Sequence, residues 1–185
     1  MSDKKSIIQK DFYRESGKWL STFRIWAKCF NPNLHFIYVF RKAQKYRKTP
    51  VLGFFWRLVL RRYQIKYGFQ IYPETEIGEG LYLGHWGNLV INPKVKIGKN
   101  CNIAQGVSIA QSNRGKLKGS PQIGDEVWIG PNAVIVGEIT IGNHVVIAPN
   151  SYVAENVPDN SLVMGNPCRI FNIPNTTEGY INHKI

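Results

Sequence analysis

The sequence predicts a mainly β protein, a parallel β-helix of short strands preceded by an α-helical segment, and three observations carry that reading. Aliphatic residues recur every six positions from residue 71 onward, the first third of the chain has helical spacing instead, and charge divides at the same boundary.

The repeat can be counted directly as Ile71, Ile77, Leu83, then Ile91, Ile97, Ile103, Ile109, then Ile123, Ile129, Ile135, Ile141, Ile147, Val153. The residue four positions later is small or apolar in most units, as at Val95, Cys101, Val107, Val127, Ala133, Ile139, Val145, Ser151 and Val157. Such pairs suit a short strand that turns a corner around a narrow interior. A helix with 3.6 residues per turn would carry a period of six around its circumference, whereas stacked parallel strands keep it in register. Gly or Ala often follows the aliphatic (Gly78, Gly98, Ala104, Gly124, Gly130, Ala148), where a bend needs little side chain or a positive φ. The register breaks twice, by two residues between Leu83 and Ile91 and by eight between Ile109 and Ile123. In repeat proteins such insertions map to loops on one face, often the binding face.

Before the repeat, Ile7, Phe12, Trp19, Leu20, Phe23, Trp26 and Ala27 recur mostly at spacings of three and four, which predicts helix. Two more helices are expected near 34–47 and 51–67, with Pro32 and Pro50 as breaks between them. The expected organisation is a basic helical segment over 1–68, a β-helix over 69–171 with a loop at 111–121, and a tail over 172–185. The net charge of +12 belongs to the first segment, where 16 Lys and Arg face 3 Asp and Glu, against 8 and 9 in the remainder.

No stretch is apolar enough for a signal peptide or a membrane span, so a cytoplasmic protein is expected. Cys29, Cys101 and Cys168 show neither metal-ligand nor CxxC spacing and read as reduced thiols. The basic first third would suit a surface-binding or nucleic-acid-binding module without catalysis, yet no nucleic-acid motif accompanies it, and none is expected as partner. A basic, aromatic face such as 55–63 would suit peripheral contact with the inner face of a membrane or with a lipid-linked saccharide. The same aromatics could instead pack on the β-helix.

The motifs IGEG, IGKNCNIAQGVSIA, IGDEVWIGPNAVIVGEITIGNHVVIAPNSYV and GNPCRIF resemble the hexapeptide-repeat acyltransferases, in particular the serine acetyltransferases and their relatives of surface-polysaccharide clusters. The resemblance implies a left-handed β-helix, a homotrimer with sites between subunits, and acetyl-CoA as co-substrate without a metal. A carbonic anhydrase on the same fold would need three histidines for zinc, and the repeat region holds only His85 and His144.

O-acetyl transfer needs a base, since an alcohol is a weak nucleophile at neutral pH, and histidine suits the task. Of His35, His85, His144 and His183, only His85 stands at a break in the repeat. It also occupies the place of the catalytic histidine in the family it resembles. His144 lies at an ordinary outward position, His35 near a helix start, and His183 in a tail expected to be mobile. Three departures from the serine enzymes stand out. Gln70 replaces an aspartate that orients the base, Gly84 replaces an aspartate before the histidine, and Ser120 replaces a second histidine. Gln70 lacks the charge to stabilise an imidazolium but can accept a hydrogen bond from it.

Losing those acids removes a grip on a serine ammonium, so the expected acceptor is a sugar hydroxyl in surface or capsular polysaccharide synthesis, with serine of cysteine biosynthesis as the alternative. Gly84, Trp86 and Asn88 are the acceptor-side candidates. Trp86 either packs on a sugar ring or fills the coil surface. For the cofactor, Arg114, Lys116 and Lys118 in the long loop offer cations to phosphates, or form a solvated loop. The resemblance adds backbone positions Ala110, Gln111, Gly130, Pro131, Ala148 and Pro149, and the basic Arg169.

Overall fold

The computed structural model describes residues 5–21, 24 and 31–185. Three helices, α1 (Ile7–Ser16), α2 (Pro32–Tyr46) and α3 (Pro50–Tyr67), precede fifteen short strands. Sheet A contains β1 (Phe69–Ile71), β4 (Leu89–Ile91), β7 (Ser108–Ala110), β10 (Val134–Val136) and β13 (Tyr152–Val153). Sheet B contains β2 (Glu76–Ile77), β5 (Lys96–Ile97), β8 (Gln122–Ile123) and β11 (Thr140–Ile141). Sheet C contains β3 (Tyr82–Leu83), β6 (Asn102–Ile103), β9 (Trp128–Ile129), β12 (Val146–Ile147), β14 (Ser161–Met164) and β15 (Arg169–Asn172). From β1 to β13 consecutive strands fall in successive sheets, so each coil visits A, B and C in turn, and all ladders are parallel except β14 with β15.

The sixfold register is the consequence of this stacking. Ile71, Ile91, Ile109, Ile135 and Val153 form one aliphatic column in sheet A. Ile77, Ile97, Ile123 and Ile141 form a second in sheet B, and Leu83, Ile103, Ile129, Ile147 and Val163 a third in sheet C. Every one of these side chains is buried, and they belong to a single core. The corner residues Val95, Cys101, Val107, Val127, Ala133, Val145 and Ser151 are buried as well. Burial in this apolar interior pushes the Cys101 thiol up to about 12, so it stays protonated and inert. Cys101 and Cys168 are both free thiols, while Cys29 lies outside the described residues.

The small residue after each aliphatic has a different cause from the one expected. Positive φ falls further along the corner, for example at Asn100, Glu126, Asn132 and Asn150. Gly98 is small because the next coil is close: an added Cβ would meet the Gly124 carbonyl oxygen at 2.5 Å. Backbone cannot yield as a side chain can, so Gly98→Ala is expected to cost roughly 1–3 kcal/mol. Thermal unfolding would show this as a Tm several degrees lower, and an unchanged Tm would refute the close-approach account.

The helix boundaries also correct the sequence reading. α1 has a capping box at Ser6 and Gln9 and stops at Gly17, whose φ of 64° makes the left-handed cap. Trp19 and Leu20 therefore follow the helix, with Trp19 stacked on Tyr13 at 4.2 Å, and Phe23, Trp26 and Ala27 lie outside the described residues. Pro32 and Pro50 do not sit between helices but open α2 and α3, where a missing N–H costs nothing. α2 buries Phe36, Ile37, Val39, Phe40 and Ala43 against the first coil, with the Phe36 and Phe69 rings 4.6 Å apart.

A buried ion pair ties helices to coil. Arg41 Nε donates to Asp11 Oδ2 at 2.7 Å, and the two side chains are 1% and 0% exposed. Arg41 also donates to the carbonyls of Ile77 and Gly78, and Asp11 accepts from the N–H groups of Gly80 and Leu81. The tail, expected to be mobile, folds back onto the coil. Thr177 and Ile181 are buried, Asn102 Nδ2 donates to the Tyr180 carbonyl, and Asn100 exchanges two hydrogen bonds with Ile185. Among the described residues no helix is long and apolar enough to cross a membrane.

Candidate active site

His85 stands where the chain leaves sheet C for sheet A. β3 ends at buried Leu83, β4 begins at buried Leu89, and the two extra residues of this unit let His85 and Trp86 project outward. Both are exposed, Trp86 at 61%. The turn is pinned at both ends by the helical segment. Asn33 Nδ2 of α2 donates to the Gly84 carbonyl at 3.2 Å, and the Gly87 N–H donates to the Tyr67 carbonyl at the end of α3 at 3.0 Å. Gly68, with φ 73°, closes α3 against Gly87 so tightly that a Cβ would meet the Gly87 carbonyl carbon at 3.1 Å. Asn33 and Tyr67 have no signature in the sequence, because the docking of helices on the first coil is not periodic.

His85 borders a groove of about 230 Å³ lined by Tyr82, Gly84, Asn102, Ile103, Ala104, Gln105, Trp128 and Pro131. None of these carries a formal charge. Gln105, one coil above His85, has a buried Oε1 with no hydrogen-bond partner among the described residues. The spacing of the repeat gave no reason to single it out. Asn102 is held by Arg14 of α1 and by the Tyr180 carbonyl, and Trp128 packs on the Tyr180 ring at 4.8 Å, so the tail backs the groove.

Along the same corner, equivalent positions stack coil upon coil. The Gly84 N–H donates to Ile103, Ala104 to Ile129, Gly130 to Ile147 and Ala148 to Val163. Gly84, Ala104, Gly130 and Ala148 thus form a column of small residues, with His85, Gln105, Pro131 and Pro149 beside them. At roughly 4.8 Å per strand the column rises about 14 Å. Arg169 of β15 pairs with Met164, the residue that follows Val163 of this ladder, and so lies at the top of the column. Four of the cofactor candidates, Gly130, Pro131, Ala148 and Pro149, share this corner with His85.

The rest do not. Ala110 ends β7 at the other edge of sheet A, and the loop from Gln111 runs from there to sheet B. Backbone hydrogen bonds between Ser112 and Gly119 close it, and Leu117 accepts from the Glu138 N–H. Arg114, Lys116 and Lys118 are exposed on that far edge. Within one chain the loop cations and His85 lie on opposite edges of sheet A. Ser120 has a buried hydroxyl with no hydrogen-bond partner among the described residues at the end of this loop. Gln70 lies exposed on sheet A in register with Val90, Asn88 is exposed just before β4, and no hydrogen bond joins Gln70 to His85 among the described residues.

The other histidines have local roles. His35 packs tilted against Tyr63 at 4.5 Å, and its burial, with Lys66 nearby, holds its pKa below the usual value. His144 Nδ1 lies 3.1 Å from Glu126, and His183 packs edge-on against Tyr13. Among the described residues no cluster of three or more His, Cys, Asp or Glu could hold a metal.

Residues 120–155 match the family model for bacterial transferase hexapeptide (six repeats). The chain is 33% identical to a serine acetyltransferase of Bacillus pumilus over 137 residues, 74% of this chain and 63% of the relative. It is 39% identical to that of Staphylococcus xylosus over 103 residues, 56% of this chain and 48% of the relative. It therefore spans about half to just under two thirds of the length of these curated relatives. Among solved structures, the serine acetyltransferase of Neisseria gonorrhoeae in complex with serine aligns with a TM-score of 0.72 at 28% identity, covering 89% of this chain and 67% of that one. The serine acetyltransferase of Brucella abortus strain S19 in complex with coenzyme A aligns with a TM-score of 0.70 at 28% identity, covering 90% and 65%. By repeat and by fold, the chain carries hexapeptide repeats wound into a left-handed parallel β-helix, and it is similar to the serine acetyltransferases.

Proposed function

We propose that the chain transfers an acetyl group from acetyl-CoA to a hydroxyl, with His85 as general base. The observation that carries this reading is the placement of His85 at the foot of the corner column of small residues. A long, thin acyl carrier fits such a column because Gly84, Ala104, Gly130 and Ala148 present no bulk, and the Arg169 cation suits its phosphates. The imidazole takes the proton of the acceptor hydroxyl as the oxygen bonds to the thioester carbonyl carbon. The same proton then goes to the departing sulfur as the C–S bond breaks, which restores neutral His85. Trp86 stands on the exposed turn, where it can meet the acceptor, and Gln70 on the adjoining exposed face of sheet A is the candidate to orient the base.

Because the loop cations Arg114, Lys116 and Lys118 stand on the opposite edge of sheet A, a complete phosphate grip calls for a neighbouring chain. A homotrimer, with one chain's loop edge against the next chain's His85 corner, meets that need.

The relatives favour L-serine as the acceptor over the sugar hydroxyl expected from the sequence. One observation favours the sugar: the groove lining has no charged group to hold an ammonium or a carboxylate. Thiol release from acetyl-CoA with L-serine and with neutral sugars, free and nucleotide-linked, separates the two. Serine turnover at a kcat/KM of roughly 10⁴ M⁻¹s⁻¹ or more assigns the serine reaction. Turnover with a sugar alone assigns the second reading, and no release with any hydroxyl acceptor rejects both.

A further inference from the structure

α3 has two apolar faces, and among the described residues only one of them is covered. Inward, Gly53, Leu60 and Gln64 are buried, with Trp56, Tyr63 and Tyr67 partly so. Outward, Val51, Phe54, Phe55 and Leu58 form an exposed two-turn stripe, with Ile65 exposed two turns further on, Val51 at 80%, Phe54 at 66% and Ile65 at 71%. Single exposed hydrophobics need no explanation, but a continuous stripe does. Arg57 and Lys66 flank it, Arg61 and Arg62 continue it between Leu58 and Ile65, and α3 contains no acidic residue. Arg57 pairs with Glu74, whereas no carboxylate pairs with Arg61, Arg62 or Lys66 among the described residues.

Charge decides what covers this face. A second copy docking through the same stripe would set Arg61 and Arg62 against their own equivalents, with no acid on the helix to offset them. An anionic lipid surface accepts both features at once, since acyl chains take the apolar stripe and headgroups take the cations. We infer that α3 is an interfacial helix that lies in the headgroup boundary of an anionic bilayer. Its C-terminal end reaches the candidate site, because the Tyr67 carbonyl accepts from Gly87 in the His85 turn. Docking therefore keeps that turn close to the bilayer surface, where a lipid-linked hydroxyl would be presented.

Flotation of the full chain with phosphatidylcholine vesicles, with and without phosphatidylglycerol, tests the inference. The chain is expected to float with the anionic vesicles, to stay behind with phosphatidylcholine alone, and to bind less at high salt. Arg61→Gln with Arg62→Gln should lower partitioning roughly 30-fold. Phe54→Glu should abolish flotation while leaving the Tm unchanged, because Phe54 is exposed. Acetyl transfer to a water-soluble acceptor should persist in all these variants, so failure here is distinguishable from failure of the acetyltransfer reading. Binding that ignores phosphatidylglycerol, or variants that float like the parent, would overturn the inference. So would a Phe54→Glu chain that falls apart in light scattering, since the face would then belong to a second copy.

Discussion

His85→Ala is expected to lower kcat by about 10² to 10⁴, the usual worth of a positioned base, or ~3–5 kcal/mol of barrier. The structure explains why this loss should be clean. Hydrogen bonds from Asn33 to the Gly84 carbonyl and from the Gly87 N–H to Tyr67 hold the turn, and none of them uses the imidazole. The Tm and the affinity for acetyl-CoA should therefore stay close to those of the parent. Steady-state kinetics with the working acceptor checks this, and near-normal turnover would move the base elsewhere while leaving the fold intact. His85→Asn repeats the test with less lost volume.

The second large effect concerns stability. Asp11→Ala should cost about 3–5 kcal/mol, because it strands the Arg41 guanidinium in the interior and removes the acceptor of the Gly80 and Leu81 N–H groups. Burial pushes the Asp11 carboxyl up, while the Arg41 charge and the two N–H groups pull it back. The exposed pair Arg57–Glu74 offers a contrast, with ~0–1 kcal/mol expected from Glu74→Ala. Denaturant unfolding measures both, and an Asp11→Ala chain within ~1 kcal/mol of the parent would show that the pair does not lock helices to coil. The damage should reach the site as well, since Leu81 leads into β3 and so to His85.

Much of the β-helix was legible because each hexad aliphatic meets its own equivalent one coil away, and a contact that repeats in space must repeat in sequence. His85 was legible for the complementary reason, as the one histidine where the repeat yields. Contacts that occur once left no such trace. The Asp11–Arg41 pair joins residues 30 apart in the sequence, and the return of Ile185 to Asn100 spans 85. Asn33, Tyr67 and Gln105 escaped for the same reason. Pro32 and Pro50 were noticed but read as separators, although proline is as much at home in the first turn of a helix. The loop cations were seen correctly as a charged insertion, yet only the order of the sheets reveals that they occupy the edge opposite His85.

The central claim is that the small-residue corner leads an acyl carrier to His85, and a crystal structure of the chain with coenzyme A tests it most directly. The account predicts the pantetheine arm along Ala148, Gly130 and Ala104, the sulfur beside His85 and the phosphates near Arg169, with a neighbouring chain's Arg114, Lys116 or Lys118 completing their grip. Coenzyme A bound away from this corner, or a corner left empty at saturating coenzyme A, would contradict it.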